Sequence, residues 1–192
     1  MAIGFVEAQM RYVEKLTDQV DIDLLCQEVL DIIQNVNEQY PNGGVHGHTQ
    51  IVLTTKTGDP EDWFDGVGYH SAPQLFCKIN SSLHGSYIEK LIQQYPDYAR
   101  WRIMQSNPRS TLSIHCDGSF NKRIHIPVIS NKDAWLAFYE EKPTKDGSIN
   151  VYHANLKPGS VYKVYTSGWH TAVNYAGNQC RIHIIAEKNS KN

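Results

Sequence analysis

Two periodicities divide the chain. From Asp21 the apolar positions Ile22, Leu25, Val29, Ile32 and Val36 step by three and four residues, the spacing of one face of an α-helix. Asp21 stands where an N-cap belongs, and Pro41-Asn42-Gly43-Gly44 supplies a turn to end the segment. A second helix is predicted from Ser86: Ser86 and Glu89 form the S-x-x-E of a capping box, Ile88, Leu91, Ile92 and Tyr95 make the apolar face, and Pro96 marks the end. A less regular pattern over residues 5–16 is read as a further helix. The β-branched run QIVLTT (50–55) predicts a strand, and TGDPEDWFDGVGYHSAP (57–73) a loop anchored by Trp63 and Phe64.

From residue 99 the period becomes two. Strands are predicted at 100–106, 111–115, 122–129, 134–140, 148–153, 160–165 and 180–186, separated by Asn107-Pro108, Gly118, Ser130-Asn131, Asp146-Gly147, Pro158-Gly159 and Gly177-Asn178. Short strands at such intervals argue for an antiparallel sandwich or barrel rather than a parallel sheet. With no linker, repeat or low-complexity tract, residues 1–192 are read as a single domain: a helical and mixed part (1–98) packed on a β core (99–187).

The alternation carries unusual polar residues. In SIHCDGSFNKRIHIP (113–127), His115 and Asp117 are two apart, as are Arg123 and His125, so in extended chain each pair shares a face while Ile114, Ile124 and Ile126 take the other. CRIHII (180–185) repeats this, with Arg181 and His183 against Ile182 and Ile184. On one strand alone the plain reading is that the isoleucines face a core and the polar residues face water.

Composition narrows the partners. At 192 residues the chain can bury a core without staples, and 41% apolar with 20% charged residues places it among soluble globular proteins. A net charge of −2 without a basic run favours neither nucleic acid nor an anionic membrane, and no apolar stretch approaches the roughly 20 residues that span a bilayer. Glu7 and Arg11 interrupt the N-terminal apolar residues, arguing against a secretory signal. Cys26, Cys77, Cys116 and Cys180 form no C-x-x-C, so a reduced, cytoplasmic protein is expected, although an even number leaves disulfides open.

Farther along, NLKPGSVYKVYTSGWHTAVNYAGNQCRIHIIAE adds His170 and, eleven residues later, Arg181. Two histidines and a carboxylate on a β framework, two from one strand and its turn and the third from a distant strand, are the ligand set of a non-haem Fe(II) oxygenase. Cys116 between the first two ligands would point away.

The pieces RWRIMQSNPRSTLSIHCDG, KRIHIPVISN, LKPGSVYKVYTSGWH and HTAVNYAGNQCRIHIIAE, in this order between Tyr98 and Glu187, resemble the aspartyl/asparaginyl β-hydroxylase family of Fe(II)- and 2-oxoglutarate-dependent oxygenases, which includes bacterial proline hydroxylases. The resemblance covers roughly half the chain and implies a mainly β fold with flanking helices, the double-stranded β-helix (cupin-like jelly roll). It implies that His115, Asp117 and His170 ligate Fe(II), that Arg181 holds the distal carboxylate of 2-oxoglutarate, and that Arg123 and His125 contact this cosubstrate near its chelating end. A guanidinium suits a carboxylate because it offers two parallel charge-assisted hydrogen bonds. In such a barrel polar residues line the interior, while Ile114, Ile124, Ile126, Ile182 and Ile184 pack outward against helices.

The implied activity is O2-dependent hydroxylation of an amino-acid side chain, free or in a peptide. Animal members carry a small residue where this chain has Asp117, which sets it closer to the proline-hydroxylase-like branch. A carboxylate there also argues against halogenation, since chloride would need that coordination position. The alternative is a cupin-like metal- or small-molecule-binding protein without 2-oxoglutarate chemistry; Arg181 and Arg123 lining one cavity speak against it. His46, His48, His70, His84 and His153 are read as solvated or left unassigned. His183 faces the cavity by parity or serves as a satisfied core histidine, Trp169 packs away from His170, Trp135 and Tyr139 line the mouth or fill core, and Asn174 serves the turn after His170.

Overall fold

The computed structural model describes residues 12–40, 48–67, 72–117, 122–144 and 149–189. In chain order the elements are β1 (Val13–Gln19), α1 (Ile22–Gln39), β2 (His48–Val52), β3 (Thr54–Thr55), β4 (Lys78–Ile79), α2 (Tyr87–Gln93), β5 (Tyr98–Ser106), β6 (Ser110–Thr111), β7 (Lys122–Ile129), β8 (Ala134–Tyr139), β9 (Val151–Ala154), β10 (Ser160–Tyr165), β11 (Trp169–Asn174) and β12 (Arg181–Lys188).

Both helices start where their caps predict. Asp21 accepts a hydrogen bond from Leu24 N at 3.2 Å, and Ser86 Oγ accepts one from Glu89 N at 3.0 Å. Glu89 accepts from Gly85 N at 2.7 Å rather than from the cap residue, whose own N–H is spent on Leu83 O. The inner stripe of α1 is Leu25, Val29, Ile33 and Val36; Ile32, expected there, lies half-buried at its margin. The helix read over 5–16 is corrected. Residues 13–16 belong to β1, whose backbone pairs antiparallel with β10, and residues 5–11 lie outside the described part. Apolar spacing in so short and exposed a segment does not separate helix from edge strand; the ladder decides.

Two sheets face each other. The larger runs β1-β10-β7-β12-β5-β2 and the smaller β6-β11-β8-β9. From β5 to β12 the chain crosses between the sheets at every step except β8 to β9, and every ladder joining these strands is antiparallel. That is the winding of a jelly roll, and the mainly β molecule with its flanking helices is a double-stranded β-helix.

The outer face of the large sheet carries the main core. Ile124, Ile126, Ile182 and Ile184 are buried with Trp101 and Ile103 against Leu25, Val29, Ile33 and Val36 of α1 and Ile88, Leu91 and Ile92 of α2. Trp63 is buried in the same cluster and Phe64 packs against it, so the 57–73 loop is anchored as expected. Ile114 departs from its expected place: it is 40% exposed. Strand 111–115 stops after Thr111, and beyond it an isolated bridge joins His115 to β11, on the sheet opposite the one that packs on the helices. A smaller cluster, including Phe138, Leu136, Tyr162 and Val164, fills part of the space between the sheets.

Strands 122–129 and 160–165 have the predicted bounds, whereas β11 is expected only as the distant strand that carries His170, without bounds. Trp135 and Tyr139 alternate with buried Leu136 and Phe138, so they occupy the outer face of the small sheet, neither mouth nor core. The turns at 41–44, Gly118 and Asp146-Gly147, together with His46, His70 and the His48 side chain, lie outside the described residues. All four cysteines are free, and among the described residues no helix is long and apolar enough to cross a membrane.

Candidate metal centre

His115 and His170 face each other across β strands. Each donates its backbone N–H to the other's carbonyl, His115 N to His170 O at 3.0 Å and the reverse at 2.9 Å. This reciprocal pair brings the ring centroids to 4.4 Å although the residues lie far apart in sequence. Asp117 is placed two residues on by its N–H to Thr166 O at 3.1 Å, at the end of β10. The period-two spacing of H-x-D then turns its carboxylate to the same side as His115.

Ligand atoms of His115, Asp117 and His170 all lie within 4.8 Å of one another. His115 Nε2 is 3.5 Å from Asp117 Oδ1, and His170 Nε2 is 3.5 Å from Asp117 Oδ2. Octahedral coordination at about 2.1 Å sets neighbouring donors about 3 Å apart, so the three fit one ion after small rotations. The far side of each imidazole is already committed: His115 Nδ1 lies 2.7 Å from Ser113 O, and His170 Nδ1 lies 2.9 Å from Gly168 O. With Nδ1–H donated to a carbonyl, each Nε2 lone pair is directed inward, as in metal-binding histidines.

Asp117 is equally poised. Arg123 Nη2 holds Oδ1 at 2.9 Å, while Oδ2 is buried and takes no hydrogen bond. Burial alone would raise its pKa, but the hydrogen bond with His115 and the Arg123 charge hold the carboxyl below the usual carboxylate range. It is therefore an anion with one free lone-pair face, the state a ligand needs. The contact with Asp117 raises the His115 pKa against the effect of burial, whereas burial lowers that of His170.

These groups open on a pocket between the sheets, about 450 Å³ of empty space when its solvent-open mouth is counted. Its polar lining is His115, Arg123, His125, Thr166, His170 and Arg181, and its apolar wall is Met104, Leu112, Leu136, Val164, Ala172 and Ile185. The structure thus gathers all six sequence-derived site residues: Asp117 is not itself in the cavity wall but contacts three residues that are.

Arg181 is buried, 4% exposed, and no carboxylate pairs with it among the described residues. Its Nη2 lies 3.1 Å from His183 Nδ1, and burial pulls its pKa down to about 10. His125 is also buried and neither ring nitrogen has a partner; burial first, then the Arg181 charge, holds it neutral. A buried guanidinium without a counter-ion and an imidazole without a hydrogen bond are costly unless something fills the space between the sheets. This donor set suits a small dicarboxylate with one end on the ion and the other on Arg181.

His183 is buried on the same side of β12 as Arg181, which it contacts, but is not among the residues that line the cavity. Asn174, fully buried, donates to Ser106 O, Asn107 O and Gln179 O at 3.1, 3.1 and 2.9 Å and so ties the loop before β12. Trp169 is half-buried on the outer face beneath the Lys142 ammonium, 5.3 Å from its ring centroid, and Cys116 is exposed.

The sequence reading passed over Arg100, Arg102 and Glu187, all buried beside Arg123. A signal was present: RWR has the same i, i+2 spacing as R-I-H, and Glu187 shares the parity of Arg181 and His183 in RIHIIAE.

No family model matches the chain, and no curated protein matches it. Solved structures are similar in fold. HygX from Streptomyces hygroscopicus, solved with nickel and 2-oxoglutarate bound, aligns over 100% of this chain and 87% of its own, with TM-score 0.60 and 6% identity. AviO1 from Streptomyces viridochromogenes aligns over 100% and 96%, with TM-score 0.56 and 11% identity. A Pseudomonas putida prolyl-4-hydroxylase aligns over 100% of both chains, with TM-score 0.51 and 8% identity. At such identities the likeness is one of fold, and 2-oxoglutarate-Fe(II) oxygenases are among the structural neighbours.

Proposed function

We propose that this protein is an Fe(II)- and 2-oxoglutarate-dependent oxygenase that hydroxylates an amino-acid side chain, free or within a peptide. The observation that carries the proposal is a pairing inside one cavity: a two-histidine, one-carboxylate cluster near an anion-less buried arginine. A plain metal-binding cupin has use for the first and none for the second. The resemblance of the RIHI segments and the H-x-D to the aspartyl/asparaginyl β-hydroxylase family supports the same reading, and Asp117 favours the proline-hydroxylase-like branch within it.

Fe(II) with 2-oxoglutarate and O2 supplies decarboxylation of the 2-oxo acid to succinate and CO2, coupled to insertion of oxygen into a substrate C–H bond. The chain's own residues do the rest. His115, Asp117 and His170 would hold the ion through two imidazoles and one carboxylate. Arg181 grips the distal carboxylate, and the Arg123 guanidinium and the His125 imidazole meet the chelating end. The apolar wall from Met104, Leu136, Val164 and Ile185 keeps bulk water from the reacting centre and strengthens each of these contacts.

The test is aerobic turnover of 2-oxoglutarate with Fe(II) against a panel of free amino acids and short peptides. Succinate should form slowly without substrate and at least several-fold faster with the right one, which gains one oxygen by mass. No succinate under any condition overturns the oxygenase proposal. Succinate that no amino acid or peptide accelerates overturns the substrate class.

A further inference from the structure

Glu187 lies directly opposite Arg123 in the β12–β7 ladder, 1% exposed, with its carboxylate among three guanidiniums. Its Oε1 accepts from Arg102 Nη2 at 2.9 Å, Arg100 Nη1 at 3.2 Å and Arg123 Nη2 at 3.3 Å, and Oε2 accepts from Arg100 Nη1 at 3.3 Å. The Arg123 nitrogen that reaches Glu187 is the one that holds Asp117 Oδ1. A continuous buried chain therefore runs from Glu187 through Arg123 to Asp117.

The backbone is distorted to build this cluster. Between Ile185 and Glu187 the β12–β5 register shifts, Ile185 facing Arg102 and Glu187 facing Ala99, so β5 carries one extra residue. The bulge falls at Arg100, whose φ is +54°. A non-glycine residue in that region persists only when its surroundings impose it. Here Arg100 N donates to Phe76 O at 2.8 Å, Trp101 N donates to Thr54 Oγ1 at 2.9 Å, and Arg100 Nη2 donates to Gly66 O at 2.7 Å. The strain brings two arginines of one strand onto a single glutamate.

We propose that Glu187 is a positioning residue for the metal centre, acting through Arg123. It shares the Arg123 guanidinium with Asp117, so that Asp117 is gripped by Oδ1 alone and presents Oδ2 to the ion. It also occupies Arg100 and Arg102. Without the glutamate charge, Arg123 is left with Asp117 as its carboxylate partner and competes with the cation for it, while the uncompensated Arg100 and Arg102 add positive charge beside Arg123. The proposal rests on reading His115, Asp117 and His170 as a metal centre.

Co(II) alone, titrated anaerobically and followed by visible absorption, tests it. Glu187→Gln keeps the shape and removes the charge; its Co(II) affinity should fall by roughly 10–100-fold, the usual effect of losing an outer partner of a ligand. In an Arg123→Met background the same change should cost several-fold less. Removing an uncompensated guanidinium, as Glu187→Gln/Arg102→Met, should recover most of the affinity, whereas a merely structural role would make the double variant worse. This second variant restores the charge balance and stands in should Glu187→Gln fail to fold. Parental affinity in Glu187→Gln, an equal loss with and without Arg123, or no recovery in the double variant overturns the positioning role. If the parent takes up no Co(II), or His170→Ala binds it unchanged, it is the metal-centre reading that falls.

Discussion

His125 and His183 are neutral for a reason that has a cost in acid. Both are buried, their rings 5.8 Å apart edge to face, and burial first, then the neighbouring Arg181 charge, puts their pKa values well below the ordinary value. Burial lowers His170 as well, while among the described histidines with a shift His115 alone is raised, by its hydrogen bond with Asp117. A histidine depressed in the folded state leaves the unfolded chain to bind the proton, so stability is full above about pH 6.5 and is lost as pH falls below it. Three such groups against one of opposite sign give a net loss. The urea midpoint of the metal-free protein should hold between about pH 8 and 7 and fall from about pH 6.5 to 5.5, before carboxylates titrate, by up to about 1.4 kcal/mol per pH unit for each uncompensated histidine. His183→Phe should flatten that slope. A midpoint that is level across this range would contradict the neutral burial of these side chains.

At the scale of elements, the two helices are joined by a side chain rather than by apolar contact alone. The Glu28 carboxylate on α1 accepts from Tyr87 N at 2.8 Å and Ile88 N at 2.9 Å, taking up two free donors at the start of α2. Tyr87 returns the contact by accepting Asp21 N on its hydroxyl at 2.9 Å. Glu28→Ala should lower stability by about 1 kcal/mol, the usual cost of losing a cap, with metal affinity unchanged; equal stability would show that water replaces the carboxylate. The elements that local rules describe were legible in the sequence: the caps at Asp21 and Ser86 and the alternation of β7 and β10. What was not legible depends on tertiary pairing. β1 has mostly exposed side chains and is a strand only because β10 lies beside it. The bounds of β11 hid in TSGWHTAVN, where Asn174 reads as a turn residue although it is buried at the strand's end. His115, expected inside a strand, is held by one bridge to His170. The H-x-D and both RIHI segments stood out because period two puts their polar residues on one face; Arg100, Arg102 and Glu187 obey the same period but needed a bulge to meet, and no spacing announces a bulge.

At the scale of the molecule, the two faces of the large sheet divide the labour. Isoleucines of β7 and β12 pack outward on the helices, and the intervening arginines and histidines turn into a space closed on the other side by the small sheet. The same strands thereby supply the core and the site, which is why the cavity can afford so many buried charges: its walls are held by the main core behind them. The central claim is that this cavity takes an ion and a dicarboxylate together. It is tested most directly by anaerobic titration of the protein with Fe(II) and then 2-oxoglutarate, followed by visible absorption, beside His170→Ala and Arg181→Ala. The expected result is a weak metal-to-ligand charge-transfer band in the parent, none in His170→Ala, and in Arg181→Ala a band that needs at least roughly tenfold more 2-oxoglutarate, for loss of a buried charge-assisted pair. Fe(II) bound with no band at saturating 2-oxoglutarate would contradict it and leave a metal-binding cupin as the better description.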